Sequence, residues 1–181
     1  SDPSINEGLE NGVASTIKTT VINDTRDNRF EPSKGHYFSV GSEYAGLGGK
    51  KRWLRNEFEA RYFKKVVGDL VLRSRFFVSK MEQLGGKQIP RTEKFTLGGA
   101  RNLRGYDFEA IGPKITASKG GVTRTFNAGG LFVTYGTLEF EHPLAREAGL
   151  KWVVFFDAGD AGDASDAGMA AAELLLWSLF G

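Results

Sequence analysis

One short segment of this chain has the side chains and the spacing to make a docking point. Between Lys94 and Lys114 the sequence reads KFTLGGARNLRGYDFEAIGPK, with a glycine doublet, Gly98 and Gly99, ahead of the tip Leu103-Arg104-Gly105-Tyr106. Arg104 offers a planar fork of donors that remains charged at every relevant pH and can grip a carboxylate bidentately. Gly105 permits positive φ or close backbone approach, and Tyr106 can pack its ring while keeping a hydroxyl partner. Gly98 and Gly99 would let the segment bend sharply where it meets a wall. An arginine at an isolated loop tip is ordinarily a solvated cation, so its surroundings decide its role.

Other reactive groups are few. GLGGKK at 46–51 has the look of a phosphate loop, but residue 44 is Tyr and residue 51 is Lys, which breaks G-x-x-x-x-G-K-[ST] and favours a hairpin turn. His36 and His142 stand alone, without metal-ligand spacing or a neighbouring nucleophile, and no G-x-S-x-G is present. There are no cysteines, so a disulfide framework and a thiolate metal site are both excluded. The expectation is a chain with no catalytic residue, no metal and no cofactor. Its 24 basic and 22 acidic residues are spread along the sequence for a net charge of +2, and without a basic block nucleic acid is not an expected partner. Lys50, Lys51 and Arg52 read as a solvated turn that could meet lipopolysaccharide phosphates if it lies on an outer rim.

The elements that must position Arg104 are strands. Glycine supplies 24 of 181 residues and phenylalanine 14, a composition suited to short alternating segments joined by many turns. Val13–Asn23 and His36–Ala45 alternate, the second with Phe38, Val40 and Tyr44 on one parity. Leu54–Phe63 sets Leu54, Phe58, Ala60 and Tyr62 against Arg55, Glu57, Glu59 and Arg61, with Asn56 the lone exception. Leu70–Met81 sets Leu70, Leu72, Phe76 and Val78 against Arg73, Arg75 and Ser79. Strands resume at Gly130–Glu141 and Leu150–Ala158, and a further one is expected within Met169–Phe180. The connection at 84–128 is a loop of roughly 45 residues, a length that is uncommon and usually functional or disordered. Its regularly placed aromatic and aliphatic residues argue against disorder.

Two architectures put charge on one face and bulk on the other: a half-solvated soluble sandwich, or a transmembrane barrel with a wet lumen. No run of 18 apolar residues occurs, which excludes a membrane helix and leaves a barrel open. Segments of about 10 residues suit tilted membrane-spanning strands better than soluble ones. Compact turns follow the first, third and fifth strands, and the long loop and Asp160–Gly168 fall at the opposite end, as in outer-membrane barrels. The fold class expected is therefore an all-β, antiparallel transmembrane β-barrel.

The loop and its neighbours resemble the BamA family of outer-membrane protein assembly factors. The likeness runs through DTRDNRFEPSKG at 24–35, IPRTEKFTLGGARNLRGY at 89–106, IGPK at 111–114, TLEFEHPL at 137–144 and VVFFDAG at 153–159. It implies that 1–181 is about seven strands of a 16-stranded barrel, with the POTRA modules absent from this chain and 84–128 forming a lumen-docking loop. It further implies that Arg104 contacts acidic residues of the inner wall, Asp157 first and Glu139 as a second partner. Parity agrees: if Leu138, Phe140, Trp152, Val154 and Phe156 face lipid, Glu139 and Asp157 face the lumen.

The function implied is non-enzymatic folding and insertion of β-barrel proteins into the outer membrane of a Gram-negative bacterium. The partners implied are nascent barrel proteins, the lipoproteins of the assembly complex, and outer-membrane lipid or lipopolysaccharide. Three other readings stay open from sequence: a secretion pore of the same superfamily (TamA or a two-partner transporter), the barrel anchor of a patatin-like lipase, and a soluble β-sandwich binding module.

Overall fold

The computed structural model describes residues 15–48, 51–85, 89–119, 122–145 and 147–163. Eight strands lie among them: β1 (Thr16–Asp24), β2 (Gly35–Ala45), β3 (Trp53–Val67), β4 (Leu70–Gln83), β5 (Lys114–Lys119), β6 (Val122–Asn127), β7 (Phe132–Ala145) and β8 (Leu150–Gly162). Six form a single antiparallel sheet in the order β1-β2-β3-β4-β7-β8, and β5 and β6 form a separate hairpin. The four central and late strands are 13 to 15 residues long, enough to cross a bilayer at a tilt.

Several strands run beyond their expected ends, because backbone pairing continues where the side-chain alternation has stopped. β3 reaches Val67 through Lys64 and Lys65 with a bulge between Lys65 and Val67. β7 passes Pro143, which has no N–H to donate, and shifts register between Pro143 and Ala145. The long connection was expected as loop throughout; instead β5 and β6 pair within it from Lys114↔Asn127 to Lys119↔Val122. The strand expected within Met169–Phe180 lies outside the described residues.

Pairing fixes the two faces. Val40↔Phe58↔Val78 and Phe38↔Ala60↔Phe76 run across the outer face, and Leu138↔Phe156 and Phe140↔Val154 extend it to β8. This apolar face is open along β8, where Val154 is 60% and Phe156 67% exposed, and closely packed at its centre, where Ala60 and Phe76 are buried among Phe38, Phe58 and Val78. An exposed apolar band of this kind is what the lipid-facing side of a barrel wall carries, whereas a sandwich would bury it under a second sheet. A lysine at Phe156, midway along β8, should accordingly destabilise the membrane-inserted protein by about 2–4 kcal/mol. Urea unfolding of the barrel in lipid vesicles measures this directly, and an unchanged midpoint would contradict the face assignment.

The inner face carries the ions. Glu59 accepts from Arg61 at 2.8 Å and Arg75 at 2.7 Å, Arg73 meets Glu141 at 3.0 Å, and Lys18 pairs with Glu57. At one rim the connection 25–34 is compact because the Asp27 carboxylate accepts hydrogen bonds from the Ser33 hydroxyl and from the backbone N–H groups of Asn28, Ser33 and Lys34. The Ser33 bond, with the backbone donors, holds the Asp27 carboxyl well below the usual carboxylate range. The turn's order is therefore present above the ordinary Asp value and is lost only as pH falls through the lowered one.

Candidate functional site

Within the connection between β4 and β7, the stretch from Ile89 to Ile111 meets the inner face of the sheet through Ile89, Phe95, Leu97, Arg104 and Ile111. Ile89, Phe95 and Leu131 pack on Ala45, Trp53 and Met81, and Leu97, with Phe95 and Ile111, packs on Val133, Tyr135 and Ala161. The inner wall is thus apolar beneath the loop and ionic beyond it, a division that strand alternation alone does not reveal. The segment descends from the Gln83 end of β4 to the level of Arg75, roughly 25 Å by strand rise. It keeps its backbone satisfied by pairing with itself. Phe95 and Gly130 exchange N–H···O bonds of 2.9 and 2.8 Å, and Leu97 and Ile111 exchange bonds of 3.0 and 2.9 Å. At the tip the N–H of Leu103 donates to Gly99 at 3.2 Å and that of Gly99 to Tyr106 at 3.0 Å.

Arg104 projects from this tip onto β7 and β8. Its Nε and Nη2 donate to the two carboxylate oxygens of Asp157 at 2.7 and 2.8 Å, and its Nη1 donates to Glu139 at 2.8 Å. The backbone N–H of Arg104 adds a bond to Asp157 at 3.1 Å. The guanidinium carbon sits 3.5 Å from the ring centroid of Phe155, which stands between the two acids on the same face. Asp157 keeps only 3% of its side chain exposed, against 26% for Arg104 and 20% for Glu139. The Asp157 hydrogen bond, with that of Glu139 and against the cost of burial, raises the Arg104 guanidinium above its ordinary value. The arrangement is a charge-assisted staple between the loop tip and two neighbouring strands.

The remaining tip residues divide by role. Leu103 is 3% exposed and anchors the tip in the wall. Tyr106 differs from expectation: its ring is mostly exposed, because Gly105 at φ 88° turns the chain away immediately after the anchor. Nothing lies within 4 Å of a Cβ built at Gly105, so conformation rather than close approach calls for glycine there. Gly98 is the close approach: at φ 123° its Cβ would stand 2.1 Å from the carbonyl oxygen of Asp107. Gly99, at φ 97°, faces the ring of Phe108.

Two further attachments escaped the sequence reading. Arg55 of β3 donates through Nη2 to the Glu93 carboxylate at 3.0 Å and to the Glu93 carbonyl at 2.9 Å. Arg75 of β4 donates to the carbonyl of Arg101 at 3.3 Å while stacking on Tyr135. Both arginines lie on the ionic parity of their strands, and Glu93 sits in the quoted IPRTEKF run; those were the available signals. His36 contacts Asn23 at 3.0 Å and His142 stacks on Trp152. Among the described residues no group of three metal-ligating side chains converges.

A family model for the Omp85 superfamily domain matches residues 5–173. The chain belongs to the Omp85 superfamily. Its Omp85 relatives include the outer membrane protein assembly factor BamA of Nitratidesulfovibrio vulgaris, 26% identical over 157 residues, 86% of this chain and 19% of that protein. BamA of Neorickettsia risticii is 27% identical over 154 residues, 81% of this chain and 19% of that protein. The human sorting and assembly machinery component 50 homolog is 28% identical over 101 residues, 55% of this chain and 22% of that protein. The crystal structure of BamA from Haemophilus ducreyi lacking POTRA domains 1–3 superposes with a TM-score of 0.74 at 16% identity. It covers 82% of this chain and 30% of that one, and shows the fold to be that of a BamA-type barrel wall. The chain spans about a fifth of the length of these curated bacterial relatives. As an Omp85 barrel segment with bacterial relatives of this kind, it resides in the outer membrane of a Gram-negative bacterium.

Proposed function

We propose that the full-length protein folds and inserts newly exported β-barrel proteins into the outer membrane, acting without a catalytic residue or cofactor. One observation carries this reading most directly: an Omp85 match over residues 5–173 on a sheet whose charged face holds its own loop through Arg104, Asp157 and Glu139. A loop held to the inner face in this way suits a machine that works through its wall, with the loop bracing that wall from inside. The assembly names of the BamA and component 50 relatives favour the same reading over a secretion pore or a lipase anchor. Its partners would be nascent barrel proteins and the lipoproteins of an assembly complex, with lipopolysaccharide at the outer rim. Lys51 and Arg52 would meet it there, whereas Lys50 lies outside the described residues. In this view 84–128 is the bracing element, Leu103-Arg104-Gly105-Tyr106 is the clamp, and Gly98 and Gly99 are its bend.

Depletion of the full-length protein in its own bacterium tests this. Several unrelated outer-membrane β-barrel proteins should fall together, while inner-membrane proteins hold steady. Loss of one secreted protein with normal barrel-protein levels would instead favour the secretion pore.

A further inference from the structure

A cavity of about 320 Å³ lies on the inner face between the compact turn at 25–34 and the loop tip at 100–104. Its lining includes seven arginines and a single carboxylate, Glu139. Four more acids, Asp24, Glu59, Glu141 and Asp157, reach these arginines from the surrounding strands. Seven guanidiniums against five carboxylates leave a surplus of two positive charges around this cavity. The surplus has an address. Arg101 forms no ion pair among the described residues, and Arg29 approaches Asp24 only at 3.8 Å with 82% of its side chain exposed. The Nε of Arg73 is also buried without a hydrogen-bond partner in the described structure. Guanidinium donors in excess of the carboxylates around one cavity suit a further anion.

The lining is not wholly ionic. Phe30, Pro32 and Phe63 form an apolar side of the same cavity, and Phe30 is 94% exposed on a turn that the Asp27 hydrogen bonds make rigid. We propose that this cavity binds an acidic polypeptide segment, its carboxylates taken by Arg29 and Arg101 and a neighbouring apolar side chain resting on Phe30. A bilayer lipid is the weaker occupant, because the cavity opens on the ionic face whereas acyl chains would need the apolar face on the opposite side of the sheet. A lone oxyanion would leave the apolar side unused. The turn at 25–34 shares a rim with the two-residue turn between β3 and β4 and the tight connection before β8, and short turns mark the periplasmic side of such barrels. The entry therefore faces the compartment from which exported chains arrive; in that respect alone the inference rests on the assembly reading.

Binding is measured on the full-length protein in detergent, with no assembly readout, so it can succeed or fail independently of that reading. The probe is a fluorescent peptide alternating Glu and Leu, compared with its Gln-for-Glu counterpart, with inorganic phosphate, and with vesicles containing phosphatidylglycerol. We expect the acidic peptide to bind, the Gln peptide to bind at least about tenfold more weakly, and the acidic affinity to fall with added salt. R29Q/R101Q should lose most of the binding while retaining the folded gel mobility of the wild type, since neither side chain belongs to the Arg104 staple. Equal binding of the two peptides to wild-type protein overturns the proposal without needing any variant. So does full affinity in R29Q/R101Q, complete displacement by equimolar phosphate, which would mark a simple oxyanion site, or preferential binding of the vesicles.

Discussion

Arg104→Ala is expected to destabilise the docked loop by about 3–5 kcal/mol, since it strips a nearly buried carboxylate of its partner. Asp157 would lose both hydrogen bonds from the guanidinium and Glu139 a third, leaving Asp157 only the backbone N–H of residue 104 from the tip. Removing both charges is a different matter. R104A/D157N removes the nearly buried Asp157 charge together with its partner and leaves only the more exposed Glu139 unpaired, so it should be less destabilised than the sum of the two single changes, with a coupling of about 1–3 kcal/mol. Arg104→Lys should recover little, because an ammonium cannot span both Asp157 oxygens and Glu139 together, nor lie flat on Phe155. Urea unfolding of the full-length barrel, paired with trypsin cleavage at the loop, reads both quantities. Additive energies across the cycle would show that the contact contributes nothing beyond the surface median, and the staple would lose its role. In cells the same loss should lower barrel-protein levels if the brace matters for assembly.

Much of this geometry was legible because strands have a period of two. Once Leu138 and Phe140 are assigned to lipid, Glu139 can only face inward, and the same parity carries from Trp152, Val154 and Phe156 to Asp157. Register across β7 and β8 then places Asp157 opposite Thr137, two residues along the same face from Glu139, so one guanidinium spans both. What stayed hidden are the features without a period. Trp53, Met81, Phe77 and Tyr135 share the parity of the inner-face charges, and only the loop that covers them explains why bulky apolar groups belong on the wet face. The β5–β6 hairpin was missed because its alternation is mostly Thr and Ser: Thr116 meets Thr125 at 3.0 Å and Ser118 meets Thr123 at 3.3 Å, pairs with no apolar signature. Arg55 and Arg75 looked interchangeable with the other wall arginines, since a carbonyl or carboxylate arriving from a distant loop leaves no mark on the strand's own sequence. Tyr106 shows the converse limit: its residue type suits packing, yet the turn at Gly105 directs it outward.

Gly98→Ala should be the most damaging single-methyl change in the loop, and comparison with Gly105→Ala separates its two causes. Both glycines hold positive φ, at 123° and 88°, so each alanine bears a conformational cost of roughly 1–3 kcal/mol. At Gly105 that is the whole effect, because the space around the new methyl is open. At Gly98 the methyl would also lie 2.1 Å from the Asp107 carbonyl oxygen and 3.1 Å from the Ala110 nitrogen, and both are backbone atoms fixed by the Asp107–Ala110 hydrogen bond of 3.1 Å. No rotamer can relieve this, so the chain itself must shift, adding an overpacking cost of about 1–3 kcal/mol. The shift would also disturb the Gly98 N–H bond to the Asn102 side chain, which shapes the turn that aims Arg104. Gly98→Ala should therefore reproduce part of the Arg104→Ala phenotype, whereas Gly105→Ala keeps the staple at reduced stability. The two are told apart by combining each with Arg104→Ala: the second change should add little on top of Gly98→Ala and nearly its full cost on top of Gly105→Ala. Equal losses in both backgrounds would mean that the bend at Gly98 and the grip at Arg104 act independently, and that the loop is held by its apolar packing alone.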